Sequence, residues 1–239
     1  MKQPRVVSLV PSATETLIAW GVVPIAVTRF CEQPRLPMVG GTKDPDIDAI
    51  VGLEPDLVVV CVEENRLEDA HALHSAGLEL FVFDIDRVDD VEPQLATLAE
   101  RLGVEPAPVA HGSDEVFELD RRAFVPIWRR PWMSMAAGTY GSSLLSRLGV
   151  ANVFADRTDR YPEVTLDHAR ASGPDLVIAP SEPYPFSERH QRELQTVAPV
   201  VFVDGKDLFW WGVRTPAAVE RLRDQLLHVP TENRNIQNS

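Results

Sequence analysis

Three glutamates follow two apolar runs whose sequences resemble each other. Glu63 and Glu64 come after Leu57–Val62, and Glu182 comes after Leu176–Ala179. A continuous apolar run rich in β-branched residues is typical of a strand buried on both faces of a parallel sheet. Ligands of open α/β sheets bind at the carboxyl ends of such strands. The carboxylates could therefore hold a cation, accept hydrogen bonds from a ligand or act as an acid/base pair, or they could cap the helices that follow.

The spacing of these runs indicates that the chain contains two related halves. Asp56 and Asp175, which precede the runs, are 119 positions apart (175 − 56), and Glu63 and Glu182 are separated by the same interval (182 − 63). We therefore expect two α/β lobes with a cleft between matching strand ends, which is a common place for a ligand.

Aromatic residues occur in the loops predicted around the same strand ends. Aromatic rings with a few polar groups suit a large, flat, amphipathic ligand. The alternative is that Phe209 and one tryptophan pack against the last helix. The predicted ligand-binding residues are Phe30, Thr42, Lys43, Glu63, Glu64, Asn65, Tyr140, Glu182, Tyr184, Phe186, Asp204, Trp210 and Trp211. For Asn65, a role as the N-cap of the following helix is also open.

No catalytic motif is evident. The chain lacks a G-x-S-x-G elbow, a P-loop and a G-x-G-x-x-G segment, and its six histidines are scattered. The two cysteines form no C-x-x-C pair, so a structural zinc site has no support. Cys61 is expected to be an inert core residue, whereas Cys31 with Glu32 could form a thiolate–carboxylate pair or be an ordinary loop thiol. We expect no catalytic residue, no metal site and no cofactor of the protein's own.

The composition limits the classes of partner that the protein is expected to bind. The 239 residues carry a formal net charge of −13, which argues against nucleic acid because binding phosphates requires Lys and Arg. No apolar run approaches the roughly 20 residues of a membrane-spanning helix. No signal-peptide core precedes Val6–Val10. We expect a monomer, cytoplasmic if the chain is complete and extracytoplasmic if a leader has been removed.

Hydrophobic periodicity predicts the elements that position these residues. Arg5–Val10 is a predicted strand, and Ser12 with Glu15 has the spacing of a capping box that opens the next helix. Val88–Leu102 has an apolar stripe typical of an amphipathic helix, and a second helical segment is predicted at Asp114–Phe124. The second half then repeats the first, starting with a strand at Trp132–Ala136.

The predicted fold class is α/β, with two pseudo-repeated Rossmann-like lobes that contain parallel sheets and are joined by a connecting backbone helix. The predicted domains are an N-terminal α/β lobe (1–87), a helical connector (88–130), a C-terminal α/β lobe (131–228) and a frayed tail (229–239).

Three segments resemble a known family. Arg5–Glu15 reads Arg-Val-Val-Ser-Leu-Val-Pro-Ser-Ala-Thr-Glu, Val39–Asp46 reads Val-Gly-Gly-Thr-Lys-Asp-Pro-Asp, and Pro55–Val59 reads Pro-Asp-Leu-Val-Val. They are similar to the helical-backbone (class III) substrate-binding proteins, which serve ABC importers of cobalamin, haem and iron-siderophores. The resemblance extends over Arg5–Leu227, and Ser181–Phe186 is similar to a less characterised, often leaderless branch.

This resemblance implies a function. It implies a substrate-binding protein that holds a metal chelate (corrinoid or cobalamin-like, haem or ferric siderophore) between two lobes, with any metal arriving inside the chelate. Phe30 and the Phe209–Trp211 loop match aromatic ligand-binding positions, while Thr42 stands where an aromatic residue is expected. Asp48 and Asp167, 119 positions apart (167 − 48), match the acidic residues that dock on an ABC permease.

Two alternatives to uptake remain open at this point. One is a cytoplasmic carrier or sensor derived from the same family. The other is a carboxylate-based enzyme, with or without a metal, acting on a small polar substrate through Glu63, Glu64 and Glu182.

Overall fold

The chain divides into two compact units. The computed structural model describes residues 3–106, 117 and 119–229. Unit 1 comprises Met1–Ala110 and Trp210–Arg214, and unit 2 comprises His111–Phe209 and Thr215–Ser239. Residues 210–214 thus belong to unit 1, which sequence order alone does not suggest.

Unit 1 is built on a four-stranded parallel sheet in the order β2-β1-β3-β4. Its central strand β3 is buried along its whole length, because helices cover both faces of a parallel sheet. The strands are β1 (Val6–Ser8), β2 (Ala26–Val27), β3 (Leu57–Cys61) and β4 (Leu80–Phe83). The α-helices are α1 (Pro11–Ala19), α2 (Ile47–Gly52), α3 (Leu67–Ser75) and α4 (Val91–Leu102), and short 3₁₀ turns occupy Arg29–Cys31 and Val88–Asp90.

Helix α4 confirms the strongest helical pattern in the sequence. The stripe Val91, Leu95, Leu98 and Leu102 is buried, as the i, i+4, i+7, i+11 spacing predicts. Gly103 ends the helix at φ +63°, a left-handed conformation that glycine adopts without steric cost.

The predicted capping box at the start of α1 is wrong. The helix begins at Pro11, its N-cap is Val10, and no side chain caps it. Proline at the first helical position needs no cap for its missing N–H and has a φ suited to the helix. Ser12 therefore lies inside the first turn, and the carboxylate of Glu15 pairs with Arg214 instead.

Unit 2 contains a second four-stranded parallel sheet, in the order β11-β10-β5-β8, and a small antiparallel sheet, in the order β6-β7-β9. The strands are β5 (Arg121–Phe124), β6 (Trp128–Arg129), β7 (Trp132–Met133), β8 (Val150–Asn152), β9 (Glu163–Val164), β10 (Leu176–Pro180) and β11 (Val200–Val203). The α-helices are α5 (Tyr140–Arg147), α6 (Leu166–Ala171), α7 (Gln191–Leu194), α8 (Gly205–Phe209) and α9 (Thr215–Leu227), with a 3₁₀ turn at Glu188–His190.

The first strand of the second half was misplaced. The helix predicted at Asp114–Phe124 is wrong where it can be compared, since residues 121–124 form β5, and residues 114–116 and 118 lie outside the described residues. Trp132–Ala136 is not that strand either, because only its first two residues form β7 of the antiparallel sheet. The sequence of β5 has two arginines and only two apolar residues, so it shows no strand pattern. The strand forms through tertiary pairing, and Ala123 and Phe124 are fully buried in it.

A repeated hydrogen-bond pattern confirms that the two units are related. The carboxylate of Asp56 accepts from the backbone N–H of Arg5, and that of Asp175 accepts from the backbone N–H of Arg122, both at 2.7 Å. Each arginine also donates to a carbonyl at the end of the helix that precedes the aspartate, α2 or α6, at 2.6 and 2.7 Å. Strand β5 is thus the counterpart of β1.

No helix within residues 3–106 and 119–229 is long and apolar enough to cross a membrane.

Candidate functional site

In unit 1 the carboxyl end of β3 leads directly into a polar turn. Val62 is 59% exposed, and Glu63 and Glu64 are half-buried. Lys43 donates from Nζ to the backbone carbonyl of Glu63 at 2.7 Å, which ties the loop that carries Lys43 to this turn. The prediction that Glu63 and Glu64 lie at a strand end is confirmed. They do not cap α3, because its acidic first-turn residues lie further along the chain.

Asn65 organises this turn rather than capping the next helix. Its Oδ1 accepts from the N–H of Cys61 at 2.8 Å, and its Nδ2 donates to the carbonyls of Thr42 at 3.0 Å and Leu9 at 3.4 Å. The N-cap of α3 is Arg66, without a side-chain bond, so the capping alternative for Asn65 is wrong. The buried amide joins the ends of β1 and β3 to the loop that carries Thr42.

Phe30 is on the surface of unit 1. Its ring is 50% exposed, and the guanidinium of Arg29 lies 4.9 Å from its centroid. Arg29 also pairs with Asp44 at 2.8 Å. Met38, 53% exposed, was missed by the sequence reasoning. It forms a parallel bridge with β2, so its exposure follows from a pairing that the irregular loop sequence did not reveal.

We call residues Trp210–Arg214 the strap. Its two tryptophans differ in burial. Trp211 is only 3% exposed and packs on Phe83 with ring centroids 4.5 Å apart. Trp210 is half-buried, and the guanidinium of Arg214 lies 5.2 Å from its ring centroid. The structure therefore brings Trp210 to the surface and places Trp211 in the interior of unit 1.

In unit 2 Glu182 follows β10, as predicted. A Cβ on Gly205 would lie 2.3 Å from Glu182 Cγ and 2.6 Å from its backbone N, so only glycine allows the two segments to approach this closely. The N–H of Gly205 donates to the hydroxyl of Ser181 at 3.0 Å. Asp204 is exposed and accepts from the N–H of Lys206 at 3.0 Å, which stabilises the start of α8.

The aromatic residues after Glu182 form a cluster. Phe186 is 4% exposed and stacks on Trp132 with an interplanar angle of 7°. Tyr184 contacts Phe186 at 4.7 Å and Trp128 at 5.6 Å between centroids. Trp128 was missed because it falls in the predicted connector, yet it is 45% exposed. Tyr184 and Trp128 are therefore the accessible members of this cluster.

Two neighbours of the cluster have shifted pKa values. Hydrogen bonds, chiefly to Glu193 and then to Tyr184, raise the pKa of Arg129, and its Nε donates to Glu193 Oε2 at 2.9 Å. Burial, helped by the charges of Arg189 and Arg129, lowers the pKa of His190. His190 therefore favours the neutral form, in which Nδ1 accepts from the N–H of Ser187 at 3.2 Å.

Tyr140 lies in the interior of unit 2, at the start of α5. It is 4% exposed, and its hydroxyl shares a 2.9 Å hydrogen bond with that of Thr215. Asp48 and Asp167 are exposed in the first turns of α2 and α6, and Asp167 pairs with Arg170.

The cysteines are structural. Cys31 and Cys61 are each 2% exposed. Burial, with a smaller contribution from the charge of Glu64, raises the pKa of both thiols, that of Cys61 to about 12. A thiolate is therefore disfavoured, and the alternative that Cys31 pairs as a thiolate with Glu32 is wrong.

No cluster of three or more His, Cys, Asp or Glu residues suited to a metal ion occurs in the part of the chain that the structure describes. An open depression of about 440 Å³ in unit 2 is lined by Arg157, Thr158 and His168 among others. It lies beside α6, whereas the carboxylates and aromatic rings described above follow the strands.

No protein-family model matches the chain, but sequence relatives are found. It is 27% identical to the vitamin B12-binding protein of Salmonella choleraesuis (strain SC-B67), covering 73% of this chain and 71% of the relative. It is 24% identical to the vitamin B12-binding protein of Yersinia pestis (strain Pestoides F), covering 95% and 88%.

Solved structures agree in fold. The periplasmic vitamin B12-binding protein BtuF of Vibrio cholerae matches with a TM-score of 0.76 and 21% identity, covering 93% of this chain and 96% of that one. The periplasmic heme-binding protein BhuT matches with a TM-score of 0.77 and 21% identity, covering 94% and 98%. In sequence and in fold, the chain is therefore similar to these vitamin B12-binding and heme-binding proteins.

The relatives compared above are named as binding proteins, and the two solved ones are periplasmic. The two parallel sheets and the structural matches confirm the α/β fold class that the repeated strands predicted.

Proposed function

We propose that this substrate-binding protein holds a metal chelate of the corrinoid, haem or ferric-siderophore type for ABC-type uptake. The observation that carries the proposal is the similarity to proteins named as vitamin B12-binding, which extends over 73–95% of the chain. The heme-binding structures with the same fold support a chelate class rather than a single compound.

The strand-end surface of unit 1 fits such a ligand. Phe30, Met38 and Val62 are each at least 50% exposed, so unit 1 offers apolar side chains on its surface to a ligand. Glu63 and Glu64 follow in the same turn. Apolar contact with the flat ring and polar contact with its substituents are what a corrinoid or porphyrin requires.

The corresponding surface of unit 2 offers similar chemistry. Tyr184 and Trp128 provide aromatic rings, and the carboxylate of Glu182 follows the buried strand β10. We infer that Phe30, Glu63, Glu64, Glu182, Tyr184 and Trp210 contact the ligand. The buried Tyr140, Phe186 and Trp211 shape the units behind them.

The proposal is tested by thermal unfolding with cyanocobalamin, hemin and a ferric hydroxamate siderophore in separate titrations. Ligand at about 100 times its Kd stabilises the folded state by about 2.7 kcal/mol, so one chelate is expected to raise the Tm by several degrees. Phe30→Ala should reduce that shift, and Leu67→Ala is the control, because Leu67 is also exposed (69%, against 50% for Phe30) but lies on α3. If none of the three chelates raises the Tm, the proposal is wrong.

We further propose that delivery occurs outside the cytoplasm to an ABC permease that binds Asp48 and Asp167. Both carboxylates are exposed at helix starts in equivalent positions of the repeat. The charge reversals Asp48→Lys and Asp167→Lys should leave chelate binding unchanged but abolish uptake in cells that express the permease. Unchanged uptake in the double variant would remove the docking role.

A further inference from the structure

The segment that opens α1 faces the strap. Glu15 and Thr16 do not cap the helix, yet both contact residues nearly 200 positions away. Glu15 pairs with Arg214, and the hydroxyl of Thr16 accepts from the N–H of Val213 at 3.3 Å. Thr16 also donates to the carbonyl of Ser12 at 3.0 Å. All of these residues belong to unit 1, so α1 forms a seat for the strap.

The backbone of the strap approaches this seat very closely. A Cβ on Gly212 would lie 2.2 Å from Thr16 Oγ1, and Gly212 has a φ of +107°. The next residue back, Trp211, is inserted against Phe83. The strap is therefore fixed by a backbone contact in its middle and by a buried ring before it.

Arg214 joins the seat to Trp210. Its Nε donates to Glu15 Oε2 at 2.7 Å and its Nη2 to Oε1 at 3.1 Å, a bidentate arrangement. The side chains of Arg214 and Glu15 are 17% and 35% exposed, so the pair is only partly screened by water. The same guanidinium lies 5.2 Å from the centroid of Trp210, within cation–π range.

We propose that Glu15 holds Arg214 as a positioning residue that fixes the ring of Trp210 in the orientation needed to bind the chelate. A ring immobilised before binding loses less conformational entropy on binding, which strengthens affinity without a new contact. This inference rests on the proposed function, because it assigns a mechanical role to two residues that need not touch the ligand themselves.

The test uses Glu15→Gln, Arg214→Gln and Arg214→Lys in the full chain. Glu15→Gln removes the charge but keeps the shape, and Arg214→Lys keeps the charge but loses the planar fork. Arg223→Gln is the matched control, since Arg223 also lies over a ring, Phe117 at 5.0 Å, and contacts a carboxylate, Asp224 at 3.2 Å.

Two readouts separate the inference from the function. Acrylamide quenching specific to Trp210 is obtained as the difference between each variant and the same variant with Trp210→Phe, and needs no ligand. The second readout is the Kd for the chelate that stabilises the wild type, whether this is cyanocobalamin, hemin or the ferric hydroxamate. Folding is checked by circular dichroism and Tm.

We expect Arg214→Gln and Glu15→Gln to make Trp210 more quenchable and to weaken binding about tenfold, with a smaller loss for Arg214→Lys. The control should change neither readout. Unchanged quenching, or changed quenching with an unchanged Kd, overturns the inference and leaves the proposed function standing. A wild type that binds none of the chelates overturns the proposed function. In that case, unaltered quenching in the variants would separately refute the inference that Glu15 and Arg214 fix the ring of Trp210.

Discussion

Gly212→Ala is expected to destabilise unit 1 strongly, for two separable reasons. Alanine at φ +107° is strained, which costs about 1–3 kcal/mol. Its Cβ would also lie 2.2 Å from Thr16 Oγ1, and Thr16 is fully buried and cannot swing into solvent. Such overpacking costs about a further 1–3 kcal/mol. The free energy of unfolding should therefore fall by about 4 kcal/mol when the central values are added.

The steric part can be isolated with Thr16→Ala. Alone, this change removes the bond to Ser12 and the acceptor for the N–H of Val213, a loss of about 1–2 kcal/mol. In the double variant Gly212→Ala with Thr16→Ala, the clashing oxygen is gone and Thr16 Cβ, 3.6 Å away, makes an ordinary contact. The double variant should therefore be more stable than the sum predicts, by about 1–3 kcal/mol.

Urea unfolding followed by fluorescence and circular dichroism measures this cycle, and coincident transitions support the two-state treatment. Thr16→Val is the control, because it retains a branched group near Gly212 and should give no relief. Effects of Gly212→Ala and Thr16→Ala that add within about 0.5 kcal/mol would refute the reasoning, as would a Gly212→Ala protein of wild-type stability.

Three other outcomes follow from the structure. Burial raises the pKa of Cys61 to about 12 and also raises that of the equally buried Cys31. Both thiols should therefore resist a thiol reagent at pH 8 in the folded protein and react together on unfolding. Rapid labelling of the folded protein would contradict this. The lowered pKa of His190 means that the unfolded chain binds its proton more readily; stability should be complete above about pH 6.5 and decline as pH falls below it. His190→Asn should flatten that decline in urea titrations, and an identical pH profile would argue against it. Arg221→Ala removes two hydrogen bonds to Asp207, a carboxylate that is only 7% exposed. The free energy of unfolding should therefore fall by about 2 kcal/mol. A loss below about 0.5 kcal/mol, which is typical of a surface ion pair, would contradict this.

Elements with long, uniform apolar patterns could be predicted from the sequence. The buried strands β3 and β10 and the amphipathic helix α4 were placed nearly at their observed bounds. In these segments a single periodicity extends over enough residues to outweigh local noise.

Short elements could not be predicted. Strand β5 has the residues Arg121-Arg122-Ala123-Phe124, a composition with no strand signal, and it forms because β8 and β10 pair with it on both sides. Sequence reasoning also treated predicted loop aromatics as ligand-binding. Trp211 and Phe186 are buried, because an aromatic ring is stabilised by covering apolar neighbours rather than facing solvent.

The candidate site was predicted in part. The 119-residue repeat located Glu63, Glu64 and Glu182 at strand ends, which the structure confirms. The contact of Glu15 with Arg214 spans 199 positions, and no local pattern encodes such a pairing. Trp128 was missed for a similar reason, since its strand forms only through antiparallel pairing with β7.

Native mass spectrometry with an absorption spectrum of the same sample tests the central claim most directly. Cyanocobalamin, hemin and a ferric hydroxamate siderophore are all heavy and coloured, so a bound chelate is visible in both measurements. We expect that one of them adds its mass to the folded protein and that its visible absorption co-purifies with the chain. A protein that stays at its unliganded mass and colourless after incubation with all three would contradict it.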